Sequence, residues 1–228
     1  MNLYFLVEGV TERKLYPSWL RQLLPNFQRV NSYNQVTQKT YYLISGGGYP
    51  GLLDSTLPNA IGEVVDSGKY NYLVVVLDAD EVTALERRNE VEDRLRPYDL
   101  GQCQAYVVVQ NHCLESWLLG NRIIYSRRPA ELDLRNCIVF YDVFNDDPEL
   151  MAKPSEFLGS IAQYHYHYLQ AMLRARQIRY TKNNPRDTAE SYYLQQLQDR
   201  VAQTPTHLHT FQAFLAFCGQ VRQEATTD

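Results

Sequence analysis

The chain has 228 residues, 45% of them hydrophobic and 21% charged, which suits one α/β domain with or without a helical extension and excludes a disordered tail. No stretch approaches 18 consecutive apolar residues, which excludes a membrane-spanning helix read from hydropathy. With 22 Lys and Arg against 26 Asp and Glu, the net charge of −4 argues against a protein that coats nucleic acid through bulk positive charge. The acids concentrate in residues 1–150 (20 acids, 14 bases), whereas 151–228 is mildly basic (8 bases, 6 acids). Met1-Asn2-Leu3-Tyr4 reads as the start of a strand and not as a signal peptide, so the expected location is the cytoplasm.

Leu3–Val7 is a short apolar run closed by Glu8-Gly9, the pattern of a buried strand ending at a turn. Thr11 is placed to cap a helix running to about Leu24, with Leu15, Trp19, Leu20 and Leu23 on one face and Pro25 stopping it. Tyr41–Ile44 predicts a second strand ending in Ser45-Gly46-Gly47-Gly48, and a helical pattern follows from Leu52 to Val65. Tyr72–Leu77 is apolar on both faces, as a central parallel strand should be, and ends at Asp78-Ala79-Asp80. A charged helix over Val82–Arg96 and a fourth strand at Ala105–Val109 come next. Leu114–Leu119 reads as a short helix, and Ile138–Tyr141 as one further strand.

Beyond residue 150 the period becomes helical, with helices expected near 155–178, 187–203 and 207–223. Strand–helix alternation followed by helices predicts an α/β fold: a mostly parallel, doubly wound sheet over 1–150 and a helical region over 151–228 packed on it.

In open parallel sheets, chemistry collects outside the carboxyl ends of the strands. Acids stand at those ends three times: Glu8 after the first strand, Asp78 and Asp80 after the third, and Glu115 shortly after the fourth. Glu12 is one helical turn from Glu8. Neighbouring carboxylates repel and raise one another's pKa, a conflict that a hard divalent cation such as Mg²⁺ or Mn²⁺ removes. Paired cations can activate water and stabilise the leaving oxygen in phosphodiester cleavage.

Val7-Glu8-Gly9-Val10-Thr11-Glu12, followed by a hydrophobic strand ending in Asp78-Ala79-Asp80, resembles the Toprim domain of topoisomerases, bacterial primases and overcoming-lysogenization-defect nucleases. The E-G-x-T-E form, with the later Glu115-Ser116-Trp117-Leu118-Leu119, is most similar to small stand-alone Toprim-like proteins of the RloB type, whose genes often accompany ATPase genes in bacterial defence islands. The motifs span residues 3–120, with a looser echo in Lys153-Pro154 and Tyr180-Thr181-Lys182. The resemblance implies a Toprim-like Rossmannoid fold, a catalytic glutamate at Glu8 and metal-ligand aspartates at Asp78 and Asp80. It further implies Glu12 and Glu115 as additional ligands or orienting groups. The expected activity is a Mg²⁺- or Mn²⁺-dependent nuclease acting on DNA or RNA, with a partner ATPase and a defence role implied by the resemblance alone. Two alternatives stay open: a non-catalytic subunit that binds nucleic acid or an ATPase, and a nucleotidyl transferase.

Arg174, Arg176, Arg179, Lys182 and Arg186 form a run with no intervening acid and with Tyr180 interleaved, a candidate nucleic-acid surface whose plain alternative is a solvated helix face. Lys153 and Lys182 are the candidates for neutralising transition-state charge. The glycine triplet lacks the Lys-Ser/Thr of a P-loop and reads as a tight strand-to-helix turn. His165 and His167, two residues apart, point to different sides of a helix and are expected to pack instead of binding metal. His112 is placed to reach the Glu115 region, and Trp19 and Trp117 are expected core anchors. Cys103, Cys113, Cys137 and Cys218 have no C-x-x-C spacing, which sets aside zinc-ribbon and disulfide scaffolds.

Overall fold

The computed structural model describes residues 1–227, and the side chains of 1–226. Five strands make one all-parallel sheet: β1 (Asn2–Val7), β2 (Gln28–Val30), β3 (Thr40–Ser45), β4 (Tyr72–Asp78) and β5 (Gln104–Gln110), in the order β2-β3-β1-β4-β5. From β1 the chain adds β2 and β3 on one side, then crosses over to add β4 and β5 on the other. The direction of winding therefore reverses around β1, at the position where such sheets open a crevice beyond their strand ends. The register pairs Phe5 with Leu43 on one side and with Val74 on the other.

Strand parity divides the core in two. Leu3, Phe5 and Val7, with Tyr72, Val74 and Val76, face α1 (Val10–Leu23) and the C-terminal helices. Tyr4 and Leu6, with Leu73, Val75 and Leu77, face α2 (Leu57–Ser67) and α3 (Ala84–Leu95). Helices therefore cover both faces, and every residue of β1 and β4 is buried, as a two-sided parallel strand requires. The remaining helices are α4 (Leu114–Leu118), α5 (Leu132–Phe140), α6 (Ile161–Arg174), α7 (Ser191–Gln203) and α8 (His209–Thr227). Among the described residues no helix is long and apolar enough to cross a membrane.

The α/β class and the parallel sheet agree with the sequence reading, while two local expectations are corrected and one strand is added. Ile138–Tyr141 is the end of α5 and its cap instead of a strand: Leu134 and Cys137, three apart, are the buried positions, while Val139 is 87% exposed. The strand β2 has the polar sequence Gln-Arg-Val at a sheet edge and gave no apolar signal. The long helix expected from residue 155 begins only at Ile161, where Ser160 and Gln163 form a reciprocal cap, and ends at Arg174.

The helical region beyond residue 150 shares its core with the sheet. Trp19 of α1 meets Phe211 of α8, and Tyr16 meets Phe214, which in turn stacks on Trp117 of α4. The Trp19 indole N–H donates to Thr188 O at 3.1 Å, tying α1 to the segment before α7. Both tryptophans are fully buried, as expected. Replacing Trp19 by Ala empties a large space at this junction and is expected to lower the free energy of unfolding by about 3–5 kcal/mol, read as a lower urea midpoint. Trp19→Phe, which keeps most of the volume, should cost clearly less.

Candidate active site

Beyond the ends of β1 and β4 lies a cleft of about 230 Å³ lined by Glu8, Gly9, Thr11, Glu12, Asp78, Glu115, Lys182 and Asn183. Its first element is the turn from β1 into α1. Gly9 is the N-cap, and the Glu12 carboxylate folds back to accept the Gly9 N–H at 3.1 Å. A Cβ at Gly9 would stand 2.8 Å from that oxygen, so the glycine of the E-G-x-T-E motif makes room for the second glutamate. Thr11, expected to cap the helix, lies within it, and its hydroxyl donates to Lys182 O at 3.0 Å. Lys14 reaches the neighbouring Asn183 carbonyl. Together they moor the loop that carries Lys182 to the start of α1.

Glu8 is held from two directions. One carboxylate oxygen accepts the Asp78 backbone N–H at 2.8 Å, and the other the Tyr49 N–H at 3.3 Å. The glycine turn after β3 makes the second contact possible: Gly47 and Gly48 adopt φ of +79° and +99°, and the Gly48 N–H bonds to Glu8 O at 3.0 Å. The triplet is thus a tight turn, as read, and one that braces Glu8.

Asp78 ends β4 on the same parity as Val74 and Val76, which aims it at the face of α1 and α4. Its Oδ1 is buried with no hydrogen-bond partner. On α4, Glu115 is buried and accepts the Tyr180 hydroxyl at 3.0 Å. Tyr180, read as part of a nucleic-acid surface, is instead a buried orienting group for Glu115.

The electrostatics follow from this crowding. Burial, then Glu8, Glu12 and Glu115, push the Asp78 carboxyl well above its usual range, against the opposing pull of Lys182. Burial, partly offset by the Asp78 N–H, also raises Glu8. Glu12 rises to about 7, mainly by burial, with Glu115 and Glu8 adding to it. Lys182 is raised, first by the Glu115 charge, against the opposing effect of its own burial.

Other predicted residues fall elsewhere. Asp80, at φ +55°, lies outside the cleft lining and turns toward Arg87 of α3, 3.8 Å away. Arg87 also binds Glu90 and lies over the Tyr49 ring. His112 donates through Nδ1 to Asp80 O, bracing that turn without lining the cleft. Lys153 is also outside the lining, its ammonium donating to Phe157 O at 2.9 Å. His165 is buried between Ser116 Oγ and Met151 O, as a packed histidine. Of the basic run, only Arg174 belongs to an α-helix; Arg176 is spent on the Ile124 and Tyr125 carbonyls. Arg174 and Arg179 line a groove of about 470 Å³ that reaches Thr181, next to Lys182. Arg186 is exposed at the start of a 3₁₀ turn, Arg186–Ala189. Sequence reasoning missed the roles of Gly9, Thr11 and Tyr180; only the x-T-E spacing and the Tyr-Thr-Lys triplet hinted at them.

The donors of the cleft are carboxylate oxygens, and one of them is an orphaned buried atom, a combination that fits a hard divalent cation. Glu8, Asp78, Glu12 and Glu115 are the residues that would hold it. Each of the glutamates is tied to another partner here, and no three of the cleft's acids bring ligand atoms within 4.8 Å of one another. Compared with protein-family models, curated proteins and solved structures, the chain has no match.

The raised Glu12 gives a pH dependence of definite sign. Its carboxyl titrates near 4.5 when unperturbed and about 7 when folded, so the folded state binds the proton more tightly. The stability this provides is complete below about pH 4.5 and is lost as pH rises through 7. In chelator, the wild type should therefore lose stability between pH 5 and pH 8, and Glu12→Gln should lose distinctly less. Thermal midpoints across that range check it, and equal slopes for the two proteins would contradict it.

Proposed function

We propose that the chain is a Toprim-type, divalent-metal-dependent phosphodiesterase that cleaves nucleic acid. The observation that carries this reading is the unpartnered, buried Asp78 carboxylate oxygen in a cleft shared with Glu8, Glu12, Glu115 and Lys182. Burying several acids together has no structural advantage, because each raises the cost of ionising the others. Such an arrangement suits a site whose charge is completed by a ligand. The topology agrees, since the cleft opens where the winding of the sheet reverses.

When bound, Mg²⁺ or Mn²⁺ supplies Lewis acidity toward a phosphoryl oxygen and lowers the pKa of a coordinated water. The chain's own residues do the rest. Asp78 offers its free oxygen as a ligand. Glu8, fixed by the Asp78 and Tyr49 N–H groups and with its pKa raised, is placed to take or return a proton at the reacting oxygen. Lys182, moored through its carbonyl to Thr11, puts a positive charge beside the acids where a phosphate would enter. Arg174 and Arg179 extend that positive surface along the adjoining groove and would follow the nucleic-acid backbone without reading bases.

The test is a cleavage assay with Mn²⁺ on end-labelled single- and double-stranded DNA and RNA. Glu8→Gln and Asp78→Asn should each abolish cleavage in proteins that keep wild-type circular dichroism. Lys182→Met should lower the cleavage rate about 10²–10³-fold, the usual loss for one group that stabilises transition-state charge. Thr11→Val, which frees the Lys182 loop but keeps the charge, should have a smaller effect in the same direction. Cleavage retained in Asp78→Asn would contradict the proposed site, and product carrying an added nucleotide would replace hydrolysis with transfer.

A further inference from the structure

Away from the cleft, between α5 and α6, three chemically different ligands converge. Asp133 and Cys137 stand one helical turn apart on α5, and His167 faces them from α6. One donor atom of each lies within 4.8 Å of the other two. His167 Nε2 and Asp133 Oδ1 are 2.9 Å apart. Cys137 is buried, whereas Asp133 and His167 are half-exposed, so the trio opens to solvent on one side. None of the three lines the acidic cleft.

We propose that Asp133, Cys137 and His167 form a Zn²⁺ site that fastens α5 to α6, with water as the fourth ligand. Thiolate, imidazole and carboxylate together suit a borderline-soft, tetrahedral ion, in contrast to the all-oxygen cleft. Zinc–ligand bonds of roughly 2.0–2.3 Å set the donors about 3.3–3.8 Å apart. The trio therefore closes around the ion with side-chain adjustments only, and the His167–Asp133 contact widens by about half an ångström. The imidazole is already oriented: Tyr164 stacks against it at 6.4 Å, and Phe157 approaches at 6.1 Å.

The fold gives such a fastener something to do. Over its nine residues α5 buries only Leu134 and Cys137, and its outer face leaves Leu132 and Val139 in solvent. Ile138 is partly buried against the core and Phe140 meets Tyr164 of α6 edge-on at 5.5 Å, so an ion bound only in the folded state would add to a modest apolar contact between the two helices. A carboxylate–imidazole pair alone would bridge the helices without placing a thiol within reach of both.

The test uses the full-length chain stripped of metal, with Co²⁺ as a spectroscopic stand-in and Zn²⁺ as competitor. One equivalent of Co²⁺ should produce a thiolate-to-cobalt charge-transfer band that Zn²⁺ displaces, and Zn²⁺ should raise the thermal midpoint. Cys137→Ser should remove the band, and His167→Gln should weaken Zn²⁺ binding at least about tenfold. Asp78→Asn should leave band and affinity intact, separating this site from the cleft. Because Cys137 is buried and its replacement could unfold the protein, the half-exposed His167 gives the deciding variant. No charge-transfer band in the wild type, a band kept in folded Cys137→Ser, or unchanged Zn²⁺ affinity in His167→Gln would each overturn the proposal and leave a simple helix-bridging ion pair.

Discussion

The Asp78 carboxylate ends a strand buried along its whole length, with one oxygen unpartnered, and the surrounding structure is arranged around that constraint. Its backbone N–H is taken by Glu8, which brings a second acid alongside. Glu8 is in turn braced by the glycine turn after β3, and Gly9 gives Glu12 the room to fold back into the same space. Three acids are thereby directed into one cleft by backbone hydrogen bonds, and burial and mutual repulsion raise the cost of ionising each.

The counter-charge comes from far along the sequence. Lys182 sits in the loop after α6, and α1 holds that loop through Thr11, Lys14 and the Trp19 bond to Thr188. The C-terminal helices therefore complete the cleft as well as cover the sheet. Tyr180 contributes from the same loop by fixing Glu115. A single surface of α1 thus both starts the acidic turn and anchors its positive partner, which couples the integrity of the core around Trp19 to the geometry of the cleft.

Much of this was legible in the sequence because parallel strands buried on both faces produce unmistakable apolar runs. The ends of those runs located Glu8 and Asp78, and Glu115 followed from its place after the fourth strand. Period alone could not separate Ile138–Tyr141 from a strand, since a short apolar run serves either state and only the exposure of Val139 decides it. The polar edge strand β2 offered no pattern to read. Asp80 looked equivalent to Asp78, yet its left-handed backbone turns it to Arg87. Lys153 and Lys182 were equal candidates for neutralising transition-state charge, and long-range packing distinguishes them. The convergence of Asp133, Cys137 and His167 was likewise invisible, because two ligands come from one helix and the third from another that begins 21 residues after α5 ends.

The central claim is that the clustered acids at the ends of β1 and β4 form a divalent-cation site. Calorimetric titration of Mn²⁺ and Mg²⁺ into the wild type and into Asp78→Asn tests it without requiring a known substrate or partner. The account predicts binding to the wild type that disappears in the variant while the fold is retained. Equal binding to both proteins, or none to a folded wild type, would contradict it.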